Sequence, residues 1–372
     1  MGRFTWYPPN PKYSNNTFKT KKGWVGQART LSDKAGFYRF ALPKIYGGSG
    51  SRETNLYMAA TRFHLSANEL YGGGIGLAND LQNEHSVVGN FPDILMLHHF
   101  GTPEQKNRLI PARLSGEFRV TFGLTEPGHG SDATYMDTRA RATIPTKREK
   151  DGGVPGYVLS GKKKWQTGAH SATHFLIFGR TSGKNGSGKG ITAFLVERST
   201  PGLEIESYEW TFNMPTDHAT ISLNEVWIPE SCILGEKENG LSIAQTFVHE
   251  NRIRQAASSC GAAKYCLDRA IGRAMEREIW GERRLAEHQG IQFPVVELMT
   301  QVEMLKLLIL KTSWEMDSLT EECGEKEEPW VVIEKRLSDK VAMCNYWANR
   351  LVCQAADRAI QVLPLFITWK IR

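Results

Sequence analysis

No run of apolar residues in this 372-residue chain approaches the roughly 18 to 20 positions that a membrane-crossing helix needs, so such a span is excluded on length. The first fifteen residues, MGRFTWYPPNPKYSN, are polar and aromatic and lack the apolar centre of a secretory signal, which points to the cytoplasm or to a mitochondrial or peroxisomal matrix. Cysteine is scarce, and none of the six residues (Cys232, Cys260, Cys266, Cys323, Cys344, Cys353) forms a Cys-x-x-Cys pair. Most stand in apolar, helical-looking surroundings and are expected to be reduced and buried. Neither His-Glu-x-x-His nor Gly-x-Ser-x-Gly occurs, which removes the usual signatures of a zinc protease and of a serine hydrolase. Dense basic stripes are absent too. A net charge of +6 is a mild excess that argues against nucleic acid and suits an anionic small molecule. The short run Lys162-Lys163-Lys164 reads as the solvated face of a strand.

What is present changes character twice along the chain. From about residue 32 to 114 apolar residues recur at helical spacing, as in Leu56-Tyr57, Ala60 and Phe63, with a glycine cluster at Tyr71 to Gly74 between the periodic stretches. Gly74-Ile75-Gly76 invites a dinucleotide-fold reading, but the third glycine of that fingerprint falls on Asn79 and no strand precedes it. From about 118 to 235 short β-branched and aromatic segments alternate with turns, for example Phe175-Leu176-Ile177-Phe178 and Ala219-Thr220-Ile221-Ser222-Leu223. The Gly/Ser/Lys stretch at 181–190 reads as a flexible hairpin tip, and Glu149 to Gly153 as another turn. After Gly240 the pattern is helical again: 241 to about 278 contains no proline, and two further helices are expected over about 295–322 and 330–360. Periodicity alone licenses an α+β fold.

The densest signal is residues 123–134, GLTEPGHGSDAT, followed about thirty positions later by Lys164-Trp165-Gln166-Thr167-Gly168. Three glycines and a proline in a dozen residues, punctuated by hydroxyls and carboxylates, describe a backbone turning sharply beside something large while offering amide and hydroxyl donors. These elements resemble the acyl-CoA dehydrogenase family, whose signature has an apolar residue, Thr or Ser, Glu, two residues, a small residue, Gly and then Ser-Asp. Only His129, in the small-residue position, departs from it. The likeness continues through residues 190–201 (GITAFLVERSTP), Val226-Trp227-Ile228-Pro229, Arg277-Glu278-Ile279-Trp280-Gly281 and His288-Gln289, in family order from about Gly36 to Val362.

The resemblance implies an N-terminal helical domain over 1–117, a flavin-binding middle β-domain over 118–235 and a C-terminal helical domain over 236–372. It implies FAD, with the backbone of Phe122, Leu124 and Thr125 edging the flavin ring and Gly130 and Ser131 near the pyrophosphate or the pantetheine arm. Trp165 would shield one end of the ring and Thr167 would bond near its redox-active nitrogen. Arg277, Trp280 and Gln289 would reach the flavin of a neighbouring protomer, which implies a homodimer or homotetramer. His249 and Arg252 would contact an acyl-CoA substrate, and electrons would pass to an electron-transfer flavoprotein or another acceptor. Taken singly, each residue has a plainer role: a strand tryptophan usually packs in a core, and Thr or Ser in a glycine-rich turn usually caps it.

Acyl-CoA dehydrogenation needs a carboxylate base, and here the resemblance thins. Gln361-Val362 is followed by LPLFITWKIR, where the family continues with two glycines and the catalytic Glu, so the C-terminal domain is expected to be truncated. A second subgroup carries its Glu on the long helix just before the residue matching Arg252, a position held here by Asn251. Glu250 is one residue early, about 100° round a helix, and is the remaining candidate. Two other readings stay open: a flavin-dependent oxidase of another substrate on the same fold, and a catalytically silent FAD-binding scaffold.

Overall fold

In the computed structural model, residues 27, 30–51, 54–68, 91–143, 154–210, 218–281, 283–323 and 329–363 are described. The glycine cluster at Tyr71 to Gly74, the turn at Glu149 to Gly153 and the tail from Pro364 onward lie outside them. The chain divides into two compact units, Met1–Phe91 with His249–Arg372, and Pro92–Val248.

The second unit is built on one eight-stranded sheet. Its strands are β1 (Val120–Gly123), β2 (Arg139–Thr143), β3 (Gly156–Thr167), β4 (His174–Arg180), β5 (Ile191–Glu197), β6 (Leu203–Glu209), β7 (His218–Pro229) and β8 (Ile233–Leu234). The order is β6-β7-β3-β2-β4-β5-β8, with β1 pairing β4 in parallel. The segments chosen by their β-branched and aromatic content all lie on strands, and Phe175, Ile177, Phe194, Val196, Ala219, Ile221 and Leu223 form one face's core. The three helices that the sequence grouped in the N-terminal stretch divide between the units: α2 (Pro92–Phe100) and α3 (Pro103–Ser115) belong to the sheet unit, whereas α1 (Thr54–Ala67) does not. The reason lies at the start of α3. Thr102 and Gln105 form a reciprocal capping box, and the Gln105 amide, 5% exposed, donates on to the carbonyls of Ser231 and Ile233 at the end of the sheet.

The other unit holds α1, the later part of α4 (Gly240–Glu276), α5 (Gln289–Cys323) and α6 (Pro329–Val362), with a two-stranded hairpin of β9 (Glu278–Ile279) and β10 (Arg283–Arg284). At 1.5 Å per residue α4 runs roughly 55 Å. Buried residues on α5 fall at Leu298, Val302, Leu305, Ile309 and Met316, and on α6 at Leu337, Val341, Cys344, Ala348, Leu351 and Ala355, the three-and-four spacing of an amphipathic helix. Gly261 of α4 is required by close packing, because a Cβ there would collide with the Phe63 carbonyl of α1. The N-terminus of α1 is capped from α5. Asp317, 4% exposed, accepts from the backbone N–H groups of Asn55 (3.0 Å) and Leu56 (2.9 Å) and from the Asn55 side chain. Burial pushes its carboxyl up to about 6 against the pull of those donors.

Candidate functional site

Residues 123–134 leave β1 and form a loop fastened from beneath. Gly123 itself is forced by packing, since a Cβ would lie 2.7 Å from Ile177 Cδ1 and 2.9 Å from the Leu176 carbonyl. Just before it, Phe122 stacks on Phe247 at 4.4 Å between ring centres and leans on Phe178 at 5.0 Å. Glu126 and His129 exchange backbone hydrogen bonds of 3.1 and 3.2 Å, closing a tight turn around Pro127 and Gly128. The His129 ring, which stands where the resembled signature has a small residue, bonds Asp137 at 3.0 Å. Asp132 accepts from the Thr134 N–H and hydroxyl, and those bonds hold its carboxyl low.

The anchor is a buried ion pair to which sequence reasoning assigned no role. Lys163 Nζ donates to Glu126 Oε1 at 2.8 Å and to the Leu124 carbonyl at 3.2 Å, while Glu126 also accepts from the N–H groups of Asp137 (2.7 Å) and Thr138 (2.9 Å). The side chains are 0% and 4% exposed. Lys163 is therefore not solvated as expected. In a strand with a period of two, Lys162 and Lys164 face outward to Glu206 and Glu209 and the middle lysine faces in. Burial lowers the Lys163 ammonium to about 8 despite Glu126. Burial would raise Glu126, but the Lys163 charge and the donors from Lys163, Thr138 and Asp137 outweigh it and hold the carboxyl below its ordinary value. Both are ionised near neutral pH.

β3 carries the other half of the site. Between Lys163 and Gln166 the ladder with β7 bulges, and Trp165 occupies the bulge at φ 62°, a conformation rare for a bulky residue. Its indole is 44% exposed, so the core role expected of a strand tryptophan does not apply. The Lys164 N–H donates to the Thr125 carbonyl at 2.9 Å, tying the loop to this bulge. Thr167 ends the strand, exposed, with its hydroxyl 2.9 Å from His218 Nδ1. Thus Phe122, Leu124, Thr125, Trp165 and Thr167 come together on adjoining segments, and Gly130 and Ser131 lie exposed further along the same loop. A Cβ at Gly128 or Gly130 would meet no protein atom within 4 Å.

The neighbouring hairpin at 181–190 is not a loose tip. Arg180, 2% exposed, donates to the carbonyls of Thr134 (2.6 Å), Lys189 (2.9 Å) and Ser187 (3.0 Å), and Gly186 N–H reaches the same Thr134 carbonyl.

The remaining candidates belong to the helical unit. Arg277 follows α4 directly, Trp280 stands 85% exposed at the hairpin tip with its ring edge-on to His288, and Gln289 opens α5. Arg273, Glu276, Arg277 and Glu278 line an open recess of about 670 Å³. On α4 the candidates separate. His249 is 3% exposed with Nε2 against Glu334 of α6, whereas Arg252 is partly accessible. Glu250 pairs at 3.0 Å with Arg254, one turn on and 2% exposed. The cysteines are all free, but only Cys260 and Cys344 are buried as expected; Cys232, Cys266 and Cys323 are half-buried and Cys353 is exposed. Among the described residues there is no cluster of His, Cys, Asp or Glu able to hold a metal, and no helix long and apolar enough to cross a membrane.

A glycine-rich loop pinned to a buried sheet, with short helices before it in the chain and long ones after it, defines an α+β protein, and comparison with known proteins agrees. Residues 121–226 match the family model for the acyl-CoA dehydrogenase middle domain, and 238–363 that for its C-terminal domain. A 3-(aryl)acrylate reductase of Clostridium sporogenes is 31% identical over 331 residues, 88% of this chain and 77% of that protein. The caffeyl-CoA reductase-Etf complex subunit CarC of Acetobacterium woodii is 27% identical over 330 residues, with the same 88% and 77% coverage. The FAD complex of PigA has the same fold, with a TM-score of 0.72 at 21% identity, covering 98% of this chain and 90% of that one. The chain belongs to the acyl-CoA dehydrogenase family, and with it to the FAD-dependent oxidoreductases. The donor set fits such a cofactor: no protein group among the described residues bonds the hydroxyls of Thr125 or Ser131, and space is open above Gly128 and Gly130.

Proposed function

We propose that this chain carries out α,β-dehydrogenation of an acyl-CoA thioester and delivers the electrons to an electron-transfer flavoprotein. One observation carries the reading: the turn at 123–134 is locked from below by Glu126 and Lys163 and left open above, beside an exposed, strained Trp165. Bound FAD supplies the hydride acceptor. The protein's own part is positional. Backbone and side chains of Phe122, Leu124 and Thr125 edge the ring, Gly130 and Ser131 give the phosphates or the pantetheine room and a donor, Trp165 covers one end, and Thr167 bonds its edge. Arg277, Trp280 and Gln289 serve the flavin of a second protomer, where the Arg fork suits phosphate. Arg252 meets the substrate's anionic part, and His249 supports that turn of α4 through Glu334. Glu250 is the carboxylate proposed to remove the α-proton, a role that requires Arg254 to share or release it.

The reductases among the relatives favour a second reading, reduction of a conjugated, unsaturated acyl thioester at the same site. Absorbance spectroscopy separates the two. Purified protein should be yellow, bleach anaerobically with a saturated acyl-CoA if it dehydrogenates, and regain colour from the reduced state with an enoyl- or arylacrylyl-CoA if it reduces. Fast recovery in air after bleaching would point to an oxidase. Folded protein that takes up no FAD overturns the proposal.

A further inference from the structure

Thr167 and His218 are directly opposite one another in the β3–β7 ladder, so their side chains leave the same face of the sheet. Thr167 Oγ1 is 2.9 Å from His218 Nδ1, and the imidazole stands edge-on to the Trp165 ring at 6.2 Å. The one carboxylate facing His218 in register, Glu209 of β6, is occupied elsewhere. Its Oε1 accepts from the hydroxyls of Ser207 (2.8 Å) and Thr220 (2.6 Å), and its Oε2 lies 3.6 Å from Lys164. The hydrogen-bond partner of His218 among the described residues is the hydroxyl proposed to meet the flavin edge.

We infer that His218 sets the direction of the Thr167 hydrogen bond and, through it, the reduction equilibrium of the bound flavin. The inference rests on the proposed placement of Thr167 beside the flavin. A hydroxyl has one proton and two lone pairs. When Nδ1 is bare, the Thr167 proton points to the ring and only lone pairs remain for the cofactor. When Nδ1 carries hydrogen, Thr167 accepts from it and its own proton is free to be donated outward. An oxidised flavin presents a bare nitrogen at its redox-active position, which the donating direction suits, and a reduced one presents N–H there, which the accepting direction suits. His218 therefore biases one redox state over the other without touching either. It is a positioning residue.

The test uses FAD-loaded protein and four variants: His218→Ala, His218→Asn, Thr167→Val and the Ala/Val double. FAD affinity and the reduced-to-oxidised ratio against a reference dye are measured at one pH. His218→Ala is expected to hold FAD within about threefold and shift the ratio about tenfold, which is about 30 mV for a two-electron couple. His218→Asn, which keeps a hydrogen-bonding group, should restore part of that shift, and carries the measurement should the alanine variant lose FAD. In the Thr167→Val background the His218 substitution should add nothing. A His218 effect that persists in full without the hydroxyl, or a ratio within twofold of wild type, overturns the inference. Thr167→Val that alters neither affinity nor ratio refutes the placement of Thr167 and takes the inference with it. An effective Thr167→Val beside a silent His218→Ala refutes only the part assigned to His218.

Discussion

Replacing Lys163 with methionine would strip the cation from a carboxylate that is 4% exposed. Removing one partner of a buried ion pair costs about 3–5 kcal/mol, because the other charge stays behind without compensation. Here Glu126 keeps the backbone donors of Asp137 and Thr138, so the lower end applies, about 3 kcal/mol, or roughly a hundredfold in the equilibrium between closed and open loop. The methionine fills the lysine's volume, and the loss is therefore electrostatic. Amide exchange should quicken at Asp137, Thr138 and Lys164, whose N–H groups hold the loop, and FAD affinity should fall with it. Adding Glu126→Gln removes the stranded charge and should recover most of the loss. Acid acts on the same contact. Glu126 has a folded pKa below its unfolded value, so its contribution is full above the ordinary carboxylate range and is lost as pH falls through the depressed value. FAD release should accordingly begin only below about pH 4.5. Unchanged exchange in Lys163→Met, or a double variant no better than the single, would refute the reasoning.

Three further substitutions probe other levels. Gly123→Ala must displace Ile177 or the Leu176 carbonyl and should cost about 1–3 kcal/mol by urea unfolding, whereas Gly130→Ala meets open space and should leave stability unchanged while weakening FAD binding. Equal stability losses in the two would contradict this. Asp317→Ala leaves buried donors at the start of α1 unpaired and should cost about 2 kcal/mol, with Asp317→Asn milder because it retains an acceptor. Burial holds the Cys260 thiol up at about 12 and raises that of Cys344, so mass spectrometry after alkylation near pH 8 should find Cys353 modified first and those two only after unfolding.

Much of the architecture was legible because it rests on periodicity. The two long C-terminal helices carry their buried residues at three-and-four spacing, and the strand segments were marked by β-branched and aromatic residues that pack on both faces. The loop at 123–134 was legible as a local pattern of glycines and turn formers. What escaped notice depends on pairing between distant segments. Lys163 looks like its two neighbours until strand direction is known, and its partner lies 37 residues away. The same holds for His218, paired with a threonine 51 residues earlier, and for Gln105, which binds carbonyls more than a hundred residues on. Only the alternation of a strand hinted that one lysine of three must point inward. The grouping of α2 and α3 with the sheet was hidden for the same reason, since a capping box is visible locally but its onward contacts are not.

A surface hairpin rich in glycine, serine and lysine is where an engineer would place a tag, a reporter or an inserted domain. The guanidinium beneath residues 181–190 argues against that choice, because one arginine gathers carbonyls from the hairpin and from Thr134 together. Lengthening this hairpin would tug on the stretch of chain three residues past Ser131, so a graft meant to be silent would be felt in the loop proposed to meet the cofactor.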